Sequence, residues 1–367
     1  MSTVTDTDRE SRISQPITLL DPHSGEFLAD DLFAPFVADV GDAELERMYE
    51  DLVVVRRIDT EATALQRQGE LALWAPAVGQ EAAQVGSARG IRADDFVFAS
   101  YREHAVAYLR GVDPTQILQF WRGSTHSGWD PYEVNMMTPA IVVGSQMLPA
   151  VGYAMGITRD RSDSIALTYF GDGATSEGDF SEALGFAASF NAPVVFFCQN
   201  NQYAISAPVG VQSTVPIVNR AAGFGITGVQ VDGNDVVAVL AVTRYAAQRA
   251  RDGDGPTLIE AVTYRMGPHT TSDDPTRYRD ADELAYWRGR DPIDRLLVTL
   301  RHRGLATEEF LARVAAAAES CAATTRAGLL ATVEPRPESI FEHVYVDPHP
   351  LLIEERAEFT AFHGSDR

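Results

Sequence analysis

Asp172 stands between two glycines directly after the apolar run Ile165 to Phe170. Asn200 and Asn201 close a second apolar run, Pro193 to Cys198, with Gln199 between. A carboxylate and a carboxamide are hard oxygen donors, the kind magnesium takes together with substrate phosphates and water. Gly171 and Gly173 carry no Cβ, so an anion can come close to the backbone there. The chemistry these residues ask for is a diphosphate held through a divalent cation. Either motif alone reads better as a turn or as polar loop; the two together point to the cation site.

The elements between them bring the two motifs to one place. Twenty-six residues separate Gly173 from Asn200. Within that gap, Phe180, Ala183, Leu184, Phe186, Ala187, Ala188 and Phe190 recur at helical intervals over Glu177 to Phe190. The unit predicted is strand, helix, strand, with two parallel strands joined by a crossover. Ligands in open parallel sheets sit beyond the carboxyl ends of the strands, where Asp172 and Asn201 fall. The helix start adds free amide N–H groups at its positive end. Elsewhere, Ala43 to Glu70 reads as a helix with Met48, Leu52, Val55 and Ile58 on its core face. Val229 to Val231 and Thr257 to Thr263 read as further parallel strands around a helix from Asp235 to Arg251. The fold expected is α/β, a mostly parallel sheet flanked by helices. Residues 1–40 form a tail and a surface arm, 41–279 the α/β domain, and 280–367 a helical C-terminal region.

GDG followed at this distance by NN resembles the signature of thiamine diphosphate enzymes. The longer text GDGATSEGDFSEALGFAASFNAPVVFFCQNNQYAIS resembles the alpha subunit of the decarboxylating first component of 2-oxo acid dehydrogenase complexes. So do RQGELALWAPAVGQEAAQVG, SYREHAV, VVGSQMLPAVG and GPTLIEAVTYRMGPHTTSDDPTRYR, in order over roughly residues 17–300. The resemblance implies thiamine diphosphate and Mg2+ as cofactors. It implies that Asp172, Asn201 and the Tyr203 carbonyl hold the metal, and that Tyr101, Arg102, Gly173, Ala174 and His269 line the diphosphate. It sets the backbone at Val143, in the segment that includes Gln146, against the aminopyrimidine ring. His269 and His126 are the implied catalytic residues, His126 on the substrate side. An arginine fork suits phosphate oxygens in any case. Two departures stand out: Gln199 occupies a place where some relatives carry an arginine, and Thr270 a place where the animal branched-chain enzyme carries a phosphorylated serine.

The implied reaction is oxidative decarboxylation of a 2-oxo acid, with the acyl group passed to a lipoyl-bearing acyltransferase. The glutamate that activates the cofactor belongs to a separate beta chain, so the resemblance implies a partner subunit and an assembly of two alpha and two beta chains. Glu81, in GQEA, reads as structural. The TSDD core of the His269 loop favours branched-chain 2-oxo acids of the 3-methyl-2-oxobutanoate type, whereas VNMMTPAIVVGSQ leans toward pyruvate. Acetoin cleavage is a third reading. A methyl and an isopropyl group differ by only roughly 1–3 kcal/mol of pocket contact.

Composition excludes other classes. All 30 basic residues are arginine, so Schiff-base or pyridoxal chemistry through lysine and a P-loop are ruled out. A nicotinamide dehydrogenase needs a third glycine that GDGATSEG lacks, and it leaves the paired asparagines without a task. A net charge of −22 opposes nucleic acid or an anionic membrane as partner. An acidic scaffold would not need Asp172, Asn201, Arg102 and His269 in these contexts. No apolar run reaches 18 residues, the first 16 residues show no secretory signal, and two cysteines suit a reducing cytoplasm.

Overall fold

Five short segments, most of them rich in aromatic and β-branched residues, pair into one sheet. The computed structural model describes residues 16–125 and 128–364. The strands are β1 (Phe96–Phe98), β2 (Ala166–Gly171), β3 (Val194–Asn200), β4 (Thr227–Asp232) and β5 (Thr257–Val262), in the order β1-β2-β3-β5-β4 and all parallel. Helix α1 spans Asp42–Arg67 and α2 Glu81–Arg89. Helix α3 spans Met147–Asp160, α4 Gly178–Ser189 and α5 Val236–Asp252.

Both faces of the sheet are covered, which is why its strands read as continuous apolar runs. Leu167, Tyr169, Val195 and Phe197 pack toward α1, α2 and α5. Their neighbours Ala166, Phe170, Val194, Phe196 and Cys198 pack toward α3 and α4. Each fully buried large side chain contributes roughly 1.5–3 kcal/mol. The alternation fixes the register: Gly171 pairs with Gln199 and Asn200 with Val262. Three strand ends, β2, β3 and β5, therefore finish side by side.

The expected strand–helix–strand unit is present, with one refinement. A turn of 3₁₀ helix, Asp172–Ser176, intervenes before α4, and Thr175 Oγ1 closes it on the Asp172 carbonyl at 2.7 Å. The arm from Ile17 to Asp39, expected on the surface, instead buries Leu19, Leu20, Phe33 and Val37. The cause lies at Asp235. Its Oδ1 caps α5 through Val237 and Ala238, and its Oδ2 accepts the Leu19 and Leu20 amides at 2.8 and 2.7 Å. Beyond residue 280, α6 (Pro292–His302), α7 (Glu308–Leu330) and α8 (Pro350–Gly364) continue the chain. Helix α7 packs along α1, tied by Arg57–Glu319 at 2.8 Å and by Arg326 on Glu61. No described helix is long and apolar enough to cross a membrane.

Candidate active site

A cavity of about 430 Å³ opens at the carboxyl ends of the strands. Its walls come from segments that follow β1, β2, β3 and β5, together with the turn before α2 and the loop before α3. Tyr101, Arg102, Val143, Asp172, Gly173, Ala174, Asn201, Tyr203 and His269 all line it. His126 lies outside the described residues.

Two opposite charges on this wall lack an ionic partner. Asp172 is 1% exposed, and among the described residues no cation lies within ion-pair distance of it. Its Oδ2 accepts from Gln212 Nε2 at 3.1 Å, and the Asn201 backbone amide lies close by. Burial pushes its carboxyl up to about 6, partly offset by the Gln212 hydrogen bond. Arg102 is 5% exposed and likewise meets no carboxylate among the described residues. Its guanidinium donates to the Pro76 carbonyl at 2.5 Å and to the His269 carbonyl at 2.9 Å, and lies 3.2 Å from His269 Nδ1. Buried charges are normally paired or ligate metals.

The tautomer of His269 follows from that contact. Arginine has no acceptor, so Nδ1 must accept and the ring proton sits on Nε2. Burial, then the Arg102 and Arg265 charges, lower its pKa to about 4. The imidazole is neutral above that pH, with one donor N–H.

Arg265 ties the loops together. It is almost fully buried and donates to the Tyr203 carbonyl at 2.8 Å, the Ile205 carbonyl at 2.6 Å and the Tyr278 hydroxyl at 3.1 Å. Tyr278 in turn donates to Asp273 Oδ2 at 2.5 Å, and the same oxygen accepts the His269 amide at 2.8 Å. Ile205 sits at φ +54°, a costly conformation for a β-branched residue, and lines the cavity. The Arg265 bond helps to hold it there.

The residues fit a metal–diphosphate pair. Asp172, the Asn201 carboxamide and the Tyr203 carbonyl are hard oxygen donors, although the last is shared with Arg265. A Cβ added at Gly171 would meet nothing within 4 Å, which leaves the backbone open to a ligand. At Gly173 a Cβ would lie 2.7 Å from the Ala204 Cβ, so that glycine also serves loop packing. Several cavity residues hold buried polar atoms without a partner among the described residues: Gln80 Nε2, Gln146 Oε1 and Arg265 Nε. A polar ligand would satisfy such atoms.

Gln199 does not stand in for an arginine. Its Nε2 donates to Glu103 Oε1 at 2.6 Å and its Oε1 accepts from Gln84 at 3.1 Å, a buried network beside the cavity. Burial raises the Glu103 carboxyl. Glu81 is structural, as expected: it accepts the Gly79 amide at 2.9 Å and pairs with Arg56. Reading the sequence missed Gln80, Glu103 and Arg265. Each adjoins a motif, but only the folded chain turns them toward the motif residues.

Residues 49–327 match the family model described as the dehydrogenase E1 component. The 3-methyl-2-oxobutanoate dehydrogenase subunit alpha of Mycobacterium tuberculosis is 46% identical over 325 residues, 88% of each chain. The pyruvate dehydrogenase E1 component subunit alpha of Staphylococcus aureus is 39% identical over 82% of this chain and 80% of its own. That of Bacillus cereus is 41% identical over 75% of each. The chain therefore belongs to the dehydrogenase E1 component family, whose enzymes depend in general on thiamine diphosphate.

Proposed function

We propose that this chain is the alpha subunit of a thiamine diphosphate-dependent 2-oxo acid dehydrogenase acting on branched-chain 2-oxo acids of the 3-methyl-2-oxobutanoate type. The observation that carries the cofactor site is the pair of buried, unpaired charges on one cavity wall, Asp172 and Arg102. A cation against the first and an anion against the second would compensate both. In this reading Asp172, Asn201 and the Tyr203 carbonyl hold Mg2+. Tyr101, Arg102, Gly173, Ala174 and His269 meet the diphosphate, and the Val143 backbone meets the aminopyrimidine ring.

When bound, thiamine diphosphate supplies a carbon nucleophile and an electron sink for decarboxylation. This chain supplies position and electrostatics. Arg102 orients His269 through Nδ1, leaving Nε2–H as a neutral donor toward the reacting oxygen of the substrate. Arg265, Tyr278 and Asp273 keep that loop against the metal side. His269→Ala is expected to lower kcat roughly 10²–10³-fold, the usual cost of one such donor. Because its pKa lies near 4 without the cofactor, the His269 ring of the cofactor-free assembly should stay neutral between about pH 5 and 8, as read by NMR of the ring resonances. A His269 resonance that titrates near 6.5 in that assembly would contradict the neutral-donor role.

The partners in this reading are a beta subunit that supplies the activating glutamate, in an assembly of two alpha and two beta chains, and a lipoyl-bearing acyltransferase. His126 is kept as a substrate-side residue. The division into 1–40, 41–279 and 280–367 is proposed with it, as is a cytoplasmic location. Both cysteines are free, Cys198 buried and Cys321 half-buried.

Pyruvate is the second reading, favoured by the staphylococcal and Bacillus relatives. The test is kcat/KM for 3-methyl-2-oxobutanoate against pyruvate, measured on the alpha–beta assembly with an artificial electron acceptor. A preference for the branched acid of about tenfold or more is expected. A preference for pyruvate would move the substrate to the second reading. A tenfold ratio corresponds to about 1.4 kcal/mol of differential transition-state binding.

A further inference from the structure

Gln80 has no exposed surface and stands on the cavity wall directly ahead of α2. Its backbone has little freedom. Gly79 before it is locked at φ +96°, with its amide on Glu81 Oε2 and its carbonyl on Thr263 Oγ1 at 2.7 Å. Glu81 is held in turn by Arg56. From this fixed point, Gln80 Oε1 accepts from Asn201 Nδ2 at 3.0 Å, across 121 positions of sequence.

A carboxamide has a donor end and an acceptor end of nearly equal size, so its orientation depends on its partners. Two facing amides could exchange roles together. The Tyr203 backbone N–H breaks that symmetry, because it can only donate, and it lies 3.4 Å from Asn201 Oδ1. That long contact leaves the oxygen with lone pairs to spare. Were the amide reversed, its NH2 would face the cation position and repel it. We propose that Gln80 is a positioning residue: it anchors Nδ2 of Asn201 and so holds Oδ1 toward the metal. The proposal rests on the metal–diphosphate reading above. Gln80 Nε2, unpartnered among the described residues, then remains as a donor for an acceptor entering the cavity.

The test uses the alpha–beta assembly with thiamine diphosphate and Mn2+ as a paramagnetic substitute for Mg2+, with free Mn2+ read by electron paramagnetic resonance. Gln80→Leu removes the acceptor and should raise the Mn2+ Kd more than about fivefold. Gln80→Glu keeps an acceptor for Asn201 and should stay within about fivefold. In an Asn201→Asp background there is no amide to reverse, so adding Gln80→Leu should again cost less than about fivefold, a coupling that a cycle of variants isolates. A small effect of Gln80→Leu in the native background, or an equal loss in both backgrounds, overturns the proposal. If Gln80→Leu does not assemble, a loss above about fivefold in Gln80→Glu overturns it. Failure of the native assembly to bind Mn2+ with the cofactor would instead overturn the metal–diphosphate reading, and this inference with it.

Discussion

Asp172→Asn should separate stability from binding by moving them in opposite directions. The carboxylate is buried without a cation in the free chain, and its carboxyl is raised to about 6. An acid whose folded pKa lies above its unfolded value destabilises the fold wherever it is ionised. That cost eases as pH falls through about 6 and is gone below the unfolded value near 3.8. Asparagine is neutral throughout and keeps an oxygen for Gln212. The cofactor-free variant should therefore be more stable than the native chain by about 2–3 kcal/mol at pH 7–8, with the gain shrinking toward pH 5. Its affinity for thiamine diphosphate with Mg2+ should fall about 100-fold or more, about 3 kcal/mol. Thermal melts at both pH values and calorimetric titration check the two halves. A variant that is both less stable and unchanged in affinity would show that Asp172 serves the fold and not a cation.

The second large effect is expected at Gly79. Its φ of +96° is unfavourable for any residue with a side chain, and an added Cβ would lie 2.2 Å from the Tyr264 carbonyl oxygen and 2.9 Å from Met266 Cγ. The carbonyl belongs to the chain just beyond β5 and cannot retreat without disturbing the sheet end. Gly79→Ala should cost about 3–5 kcal/mol, the sum of backbone strain and overpacking. It should also weaken metal binding, because the turn carries Gln80. Gly69→Ala provides the control. Gly69 has a similar φ of +84°, but nothing lies within 4 Å of its would-be Cβ. That substitution should cost only about 1–2 kcal/mol. Equal losses at the two sites, read by denaturant melts, would mean that the close contact at Tyr264 relaxes freely.

Much of the site was legible before folding, because its chemistry is written at strand ends. Apolar runs ending at Phe170 and Cys198 mark buried parallel strands, and the residues after them must emerge at the same edge. Asp172 and Asn201 were found that way. Tyr101, Arg102 and His269 came from resemblance alone, since a loop histidine or a lone arginine carries no periodicity. Three features escaped for physical reasons. Gln80 acts through one oxygen on a residue 121 positions away, and a neutral amide leaves no trace in charge or pattern. Arg265 reads as one basic residue among thirty until its carbonyl partners are brought together. The Leu19–Leu20 arm is short and Pro- and Asp-rich on either side, so its burial depends on Asp235, far along the chain. Gly173 is legible as a glycine, but a second demand on it is not: the close approach of the Ala204 Cβ.

In the proposed function this cavity holds thiamine diphosphate through Mg2+ and, with a beta subunit, the chain decarboxylates a 2-oxo acid. The most direct measurement is release of carbon dioxide from carboxyl-labelled 3-methyl-2-oxobutanoate and pyruvate by the stripped alpha–beta assembly. Each is assayed with Mg2+ alone, with thiamine diphosphate alone and with both. Release only with both, and its loss in Asp172→Ala and Asn201→Ala, is the predicted result. Release that persists without the cofactor, or that survives both substitutions with its metal dependence intact, would show that the reaction does not run through this site.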